Sequence, residues 1–204
     1  FNGNGKLITP IGSSYDNGQS LVLQPDGKIL LGGYCENGSN FDFCLARFNP
    51  NGSPDTSFDG DGKLITPIVP SGAYGYSLAL QPDGKILLGG YCNNGSNDDF
   101  CLARLNPNGS LDTSFDGDGI VITDISTSHD YGYSLALQPD GKILLGGRCL
   151  NGSNDDFCLA RFHIDGSPDN TFNGNGKLIT PIGSSTDYGE SLILQPDGKI
   201  LLGG

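Results

Sequence analysis

Apolar residues along this chain fall in short runs, and each run is stopped by a cluster of Gly, Asn, Asp and Pro. The stretch 76–125 shows the pattern. Tyr76–Gln81 (YSLALQ) is followed by Pro82-Asp83-Gly84, and Lys85–Tyr91 (KILLGGY) by the polar segment 92–99 with Asn94-Gly95 inside it. Phe100–Asn106 (FCLARLN) is followed by the long polar segment 107–119, and then comes Ile120–Ile125 (IVITDI). Runs this short between turn formers predict strands, because a helix needs a longer apolar stripe at its own spacing. Asp-Gly and Asn-Gly mark hairpins, since Gly takes positive φ without steric cost. The expectation is a meander of four antiparallel strands.

The pattern also predicts the order of the strands. SLAL and KILLGG are apolar on both faces, as in strands sandwiched between neighbouring sheets, and Ala79 and Ala136 suit a crowded inner position. Gly89-Gly90 suggests a bulge or a close backbone approach. The KLITPI run carries Pro10, Pro67 and Pro181, and proline cannot donate to a ladder, so this run is expected outermost and SLAL innermost.

The same meander recurs. Phe-Asx-Gly-Asx-Gly starts at Phe1, Phe58, Phe115 and Phe172, and Gln-Pro-Asp-Gly-Lys-Ile at Gln24, Gln81, Gln138 and Gln195, every copy 57 residues after the last. That period is too long for one coil of a β-helix and fits one blade of a β-propeller. The fold class read from the sequence is therefore all-β, a propeller-like array of four-stranded antiparallel blades. Residues 1–204 form a single array of units 1–57, 58–114, 115–171 and a partial 172–204. A ring of six to eight blades would need roughly 340–460 residues at this period, so the array is expected to belong to a longer propeller or an assembly. Lys6–Ile11 reads as an outermost strand without a blade of its own, and as the strand lent to the last blade if the ring closes that way.

Composition narrows the setting. Gly is 33 of 204 residues, Met and Trp are absent, and the formal net charge is −12. That charge argues against nucleic acid, which needs a basic surface, and against anionic membranes; no apolar run approaches the length of a membrane span, so no membrane insertion is expected. The six cysteines fall in phase as Cys35 and Cys44, Cys92 and Cys101, and Cys149 and Cys158. The spacing is not that of a zinc site and no repeating His accompanies it. Cys35 and Cys44 lie symmetrically about a turn near Ser39, so the pairs read as three local disulfides facing each other across the hairpin of the second and third strands, against the alternative of buried thiols in a reducing cytosol. Disulfides would place the chain in an oxidising compartment, extracellular or on the cell surface.

With QPDGKI, LLGGY, LAR at Leu45–Arg47, Leu102–Arg104 and Leu159–Arg161, and DTSFDGDG at Asp55–Gly62 and Asp112–Gly119, the whole chain resembles the delta-60 repeat of large secreted bacterial proteins, a β-propeller repeat of unknown function. The resemblance implies a propeller-like fold and export. It carries no catalytic residues, and the paired cysteines depart from its usual pattern.

Several residues are candidates for chemistry. Asp59, Asp61, Asp116 and Asp118 alternate with Gly in a way that can present oxygens to calcium. Against this, the other two units carry Asn2, Asn4, Asn173 and Asn175 and no Glu follows, which fits a turn closed on its own backbone. Arg47, Arg104 and Arg161, with Asp42, Asp99 and Asp156 nearby, suggest either a ring of ligand-binding arginines or a bridge between blades through carboxylate or carbonyl bonds. The loops before the inner strands carry Tyr15, Asp16, Tyr74, Asp130, Tyr131, Asp187 and Tyr188, a set suited to sugars or protein surfaces, or simply to rim packing. Asn-Gly-Ser at Asn37, Asn51, Asn94, Asn108 and Asn151 matches glycosylation acceptors and equally a hairpin turn. Ser128-His129-Asp130 is adjacent in sequence and does not recur. With no cluster of unique catalytic residues, no enzyme and no cofactor beyond calcium is expected. The function expected is a secreted or cell-surface structural or adhesion module, with a glycan- or protein-binding propeller and a self-assembling filament as alternatives.

Overall fold

The computed structural model describes residues 1 and 3–204; Asn2 lies outside the described residues. Among them are fourteen strands and no helix. β1 (Asp16–Leu23), β2 (Ile29–Glu36), β3 (Phe41–Phe48) and β4 (Lys63–Thr66) form one antiparallel sheet in sequence order. β5 (Ala73–Leu80), β6 (Ile86–Asn93), β7 (Asp98–Leu105) and β8 (Ile120–Thr123) repeat it, as do β9 (Asp130–Leu137), β10 (Ile143–Asn151), β11 (Asn154–Phe162) and β12 (Lys177–Thr180). β13 (Ser191–Leu194) and β14 (Ile200–Gly203) are the first two strands of a fourth blade. The first strands of successive blades approach one another and the last do not, so SLAL is innermost and KLIT outermost, as the sequence predicts.

The hydrophobic core lies between the sheets. Alternation along β6 sends Ile86 and Leu88 toward the first blade, where they meet Leu30, Phe43, Leu45 and Phe58, and sends Leu87 toward the third, with Phe100, Leu102, Leu135 and Leu145. Both faces of the inner strands are therefore apolar because both are covered.

Each Gly-Gly pair has two separate jobs. A Cβ on Gly32, Gly89 or Gly146 would lie 2.7, 3.0 or 2.8 Å from a methyl or methine carbon of Leu78, Leu135 or Leu192, so each first glycine is a socket for a leucine of the next blade. A Cβ on Gly33, Gly90 or Gly147 would lie 1.8–1.9 Å from the carbonyl oxygen of Asn17, Tyr74 or Tyr131. There the ladder slips: Gly75 pairs with Gly90 but Ser77 with Gly89, leaving Tyr76 as the extra residue of a β-bulge. Ser20, Ser77 and Ser134 then accept hydrogen bonds from the backbone N–H of Leu78, Leu135 and Leu192 at 3.0 Å.

A polar latch repeats at the outer part of each seam. After β3 the chain folds back, and Asp55 N–H donates to the Arg47 carbonyl at 2.9 Å. Arg47 then donates to Asp55 at 2.6 Å and to Ser57 at 3.0 Å, lies over the Phe58 ring at 4.7 Å, and reaches the Pro107 carbonyl of the second blade at 2.5 Å. Arg104 does the same with Asp112, Ser114, Phe115 and the Ile164 carbonyl. Arg161 repeats the contacts to Asp169, Thr171 and Phe172. Arg47 and Arg104 bridge blades, and the carboxylates of the three arginines are Asp55, Asp112 and Asp169. Asp42, Asp99 and Asp156 turn instead to the side-chain amides of Asn37, Asn94 and Asn151 in the hairpin turns.

Four expectations are corrected. The outermost strands span only four residues and stop before Pro67 and Pro181, so proline ends the strand rather than sitting in it. Residues 6–11 form no strand, because no third strand lies beside them to pair with; their Ile11 N–H is held by Asp16 at 3.1 Å. The inner strand of the second blade begins at Ala73, not Tyr76, because the bulge lets pairing continue past Gly75. The cysteines form the three expected disulfides but sit diagonally: Cys35 pairs with Asp42 and Gly33 with Cys44, since the turn is centred between Gly38 and Ser39.

Gly90→Ala is expected to destabilise the protein by about 3 kcal/mol, because its methyl meets a backbone carbonyl, whereas Gly89→Ala, which meets only leucine methyls, costs about 1 kcal/mol. Urea melts giving equal losses would contradict the two assignments. Replacing Cys92 and Cys101 together by Ser should remove about 2–3 kcal/mol, the value for so short a loop. Burial pushes the Asp55 and Asp112 carboxyls up, but hydrogen bonds from Ser57 and Lys28, and from Ser114 and Lys85, outweigh it with help from Arg47 and Arg104 and hold both well below the usual carboxylate range. Their contribution is complete above the unfolded value of about 4 and is lost as pH falls toward their folded values. Asp112→Asn should therefore lower the melting temperature at pH 7 and flatten its decline in acid; an unchanged acid limb would show that the latch is not what titrates.

Candidate functional site

The bulge creates the most distinctive surface of the molecule. Tyr74 lies opposite Tyr91 in the ladder, and Tyr76 is the bulged residue beside it, so both rings pack on Tyr91, at 5.0 and 5.6 Å. The next unit supplies Tyr131 and Tyr133 at the same places, and the first supplies Tyr34 at the place of Tyr91. The rings run on from blade to blade: Tyr34 to Tyr74 at 5.1 Å, Tyr91 to Tyr131 at 4.9 Å, and Tyr76 to Tyr133 at 5.1 Å. Phe41 and Tyr15 extend the row at the first blade, and His129 lies flat on Tyr131 at 6.0 Å.

In the third blade Arg148 replaces the tyrosine. Its guanidinium lies 4.9 Å from the Tyr131 ring centre and 4.4 Å from that of Tyr188, and it donates to Asp155 at 3.0 Å. A cation between two aromatic faces continues the row in place of a ring. Burial raises the phenols of Tyr74, Tyr76, Tyr91, Tyr131 and Tyr133 above their ordinary range, so all five are neutral near pH 7. The surface therefore offers flat apolar rings edged with hydroxyls, close to Asn17, Asp98 and His129.

The residues expected at this rim are placed unevenly. Tyr15 and Tyr188 lie in loops and are about half exposed, at 51 % and 50 %. Tyr74 and Tyr131 lie within β5 and β9 rather than in the preceding loops, which moves them into the row of rings. The aspartates face away from it, toward their own loops. Asp16 accepts from the Gly12 N–H at 2.6 Å, Asp130 from Ile125 N–H at 2.6 Å and Ser126 Oγ at 2.7 Å, and Asp187 from Ile182 N–H at 2.8 Å. Their role in the structure is to order the loop leading into the inner strand. Tyr34, Tyr76, Tyr91, Tyr133 and Arg148 escaped the sequence reading. Two signals mark them: the in-phase position after Gly-Gly, and tyrosines two apart at 74 and 76 and at 131 and 133.

The Asx-Gly-Asx-Gly loops are built as turns. Asp59, Asp116 and Asn173 take left-handed backbone, with φ of 48°, 50° and 51°. The N–H groups of Asp59 and Asp116 cross the seam to the carbonyls of Asn108 and Asp165, both at 2.9 Å. Asp61 and Asp118 accept the N–H two residues on, at 2.9 and 2.8 Å, as Asn4 and Asn175 do in their units. His129 turns its Nδ1 to Asp98 rather than to Ser128.

The comparisons agree with this architecture. No curated protein matches the chain in sequence. Among solved structures, the virginiamycin B lyase of Staphylococcus aureus is similar in fold, with a TM-score of 0.53 at 14 % identity over 93 % of this chain. The chain spans about half of that protein, 50 % of its length. A family described as a domain of unknown function (DUF5122) beta-propeller matches three times, at residues 24–58, 81–115 and 138–172, together more than half of the chain. Each match runs from the QPDG turn through β2 or its counterpart to the seam phenylalanine, and this chain belongs to that beta-propeller family.

Proposed function

We propose that the chain is the binding part of an exported, non-catalytic propeller that adheres to glycan surfaces through its row of tyrosines. The observation that carries this reading is the continuity of the rings from Tyr34 to Tyr131 across three blades. Sugar rings stack their C–H faces on tyrosine, and phenol hydroxyls with nearby Asn, Asp and His hydrogen-bond their hydroxyls. A row of rings that continues from blade to blade suits a repeated ligand such as a polysaccharide, and suits adhesion better than a single reaction centre. Three disulfides support an oxidising, extracellular setting. The likeness to a lyase, at 14 % identity, carries the fold and no activity.

A second reading, assembly with further blades, is favoured by one contrast. Leu78, Leu135 and Leu192 are buried in glycine sockets, while Leu21, their counterpart in the first blade, is 62 % exposed.

Pull-down on insoluble polysaccharides (β-glucan, chitin, peptidoglycan), followed by titration with soluble oligosaccharides, tests the first reading. Tyr74→Ala with Tyr131→Ala should weaken binding by about tenfold or more, as expected for losing stacked rings worth about 0.5–1.5 kcal/mol each, with the melting curve kept as a check on folding. Equal binding by a folded double variant would remove the tyrosine row from the proposal. Sedimentation of the same protein into discrete multimers without glycan binding would favour assembly instead.

A further inference from the structure

The seam between the second and third blades differs from the others in one chemical respect. Where the first and third blades have Pro67 and Pro181 after the outermost strand, the second has Asp124. The inner strand that follows opens with Asp130, where the second blade has Ala73. Folding brings these two to Asp99, and one carboxylate oxygen from each of Asp99, Asp124 and Asp130 lies within 4.8 Å of the others. The corresponding trio is Asp42, Pro67 and Ala73 in the seam before, and Asp156, Pro181 and Asp187 in the seam after.

A second observation points to a missing ligand. Asp99 is 1 % exposed, and its Oδ1 has no hydrogen-bond partner, while Asn94 holds Oδ2. Asp42 also has an unpaired Oδ1, but the backbone N–H of Ile68 assists its carboxylate and no second carboxylate stands beside it. At the second blade the matching N–H, that of Ile125, is taken by Asp130 at 2.6 Å. At the third blade Asp156 is satisfied by Asn151 at 2.7 Å and Asn154 at 3.1 Å. Asp99 alone combines an orphaned buried oxygen with two carboxylates at close range.

No lysine or arginine among the described residues lies within ion-pair distance of the three carboxylates. Asp98 adds a fourth acid nearby and is faced by His129 at 3.2 Å; the Lys177 ammonium bonds to the main-chain carbonyl of Asp124. Uncompensated negative charge at such range is costly unless a proton or a cation is shared.

We propose that Asp99, Asp124 and Asp130 form a calcium site in this seam. All three donors are hard carboxylate oxygens, with no free thiol beside them because Cys92 and Cys101 are bonded to each other. Calcium accepts an irregular shell in which water completes what the protein leaves open, and the exposed Asp124 gives water access. The ion would tie the 124–130 loop of one blade edge to β7 of the other, and with it His129 on the tyrosine row. The proposal stands apart from glycan binding and from the Asx-Gly-Asx-Gly loops.

The test is calorimetric titration of the chelator-stripped full chain with calcium, and with magnesium in parallel, together with melting curves in calcium and in EDTA. Asp124→Pro is the informative variant, since Pro67 and Pro181 show that the repeat accepts proline there. One calcium per chain with a dissociation constant of about 0.1–1 mM, the range of extracellular modules, a raised melting temperature, and at least tenfold weaker binding in Asp124→Pro are expected. Asp61→Asn with Asp118→Asn should leave the binding unchanged. Absence of calcium binding in the wild-type chain, or equal binding by a folded Asp124→Pro chain, overturns the site. Loss of binding in the Asp61/Asp118 variant alone would move calcium to the Asx-Gly loops and overturn it as well.

Discussion

The distance at which one blade can approach the next governs everything else in this molecule. Two consecutive glycines in each second strand set it, one receiving a leucine from the neighbouring sheet and the other yielding to a carbonyl within its own. A side chain larger than alanine at the first would push the sheets apart, and with the leucine displaced the serine-to-backbone hydrogen bond and the reach of the arginine would weaken. A side chain at the second would straighten the bulge. Packing between sheets and display of tyrosines are thus consequences of adjacent atoms that are absent.

The seams mix apolar and ionic contacts in a fixed order. Close to the inner strands they are leucine, isoleucine and phenylalanine, as in any sheet-on-sheet core. Farther out they become arginine on phenylalanine, with the guanidinium satisfied by a carboxylate, a hydroxyl and a carbonyl. A buried charge is costly unless its hydrogen-bonding capacity is filled, and here partners on both blades fill it. The latch therefore specifies how blades are aligned more than how strongly they stick.

Much of the fold was legible because it is encoded locally. Alternation at Ile86, Leu87 and Leu88 reveals a strand covered on two sides, and Asp83-Gly84 and Asn94-Gly95 reveal the hairpins around it. The paired cysteines were legible for the same reason, although their diagonal register depended on where the turn is centred. The site was less legible. Tyr91 reads as an ordinary strand aromatic until the bulge at Tyr76 places Tyr74 on the same ring. The Arg47 partner lies eight residues away only because the chain folds back onto β3. Asp99, Asp124 and Asp130 come from three strands or their ends, and no spacing rule joins them.

The bonds along the middle of a seam reach far ahead in the chain, Ser20 to Leu78, Arg47 to Pro107 and Asp59 to Asn108, and they recur in the same phase from seam to seam. No contact is particular to one pair of blades except where the repeat itself changes. Removing or adding a whole 57-residue unit would leave each remaining seam with its complete set of partners. Length can then drift by recombination between near-identical gene segments without a compensating change in the core. Selection would be left to act on how many blades are kept, and on the few positions, such as Asp124 and Arg148, where one unit has stopped copying the others.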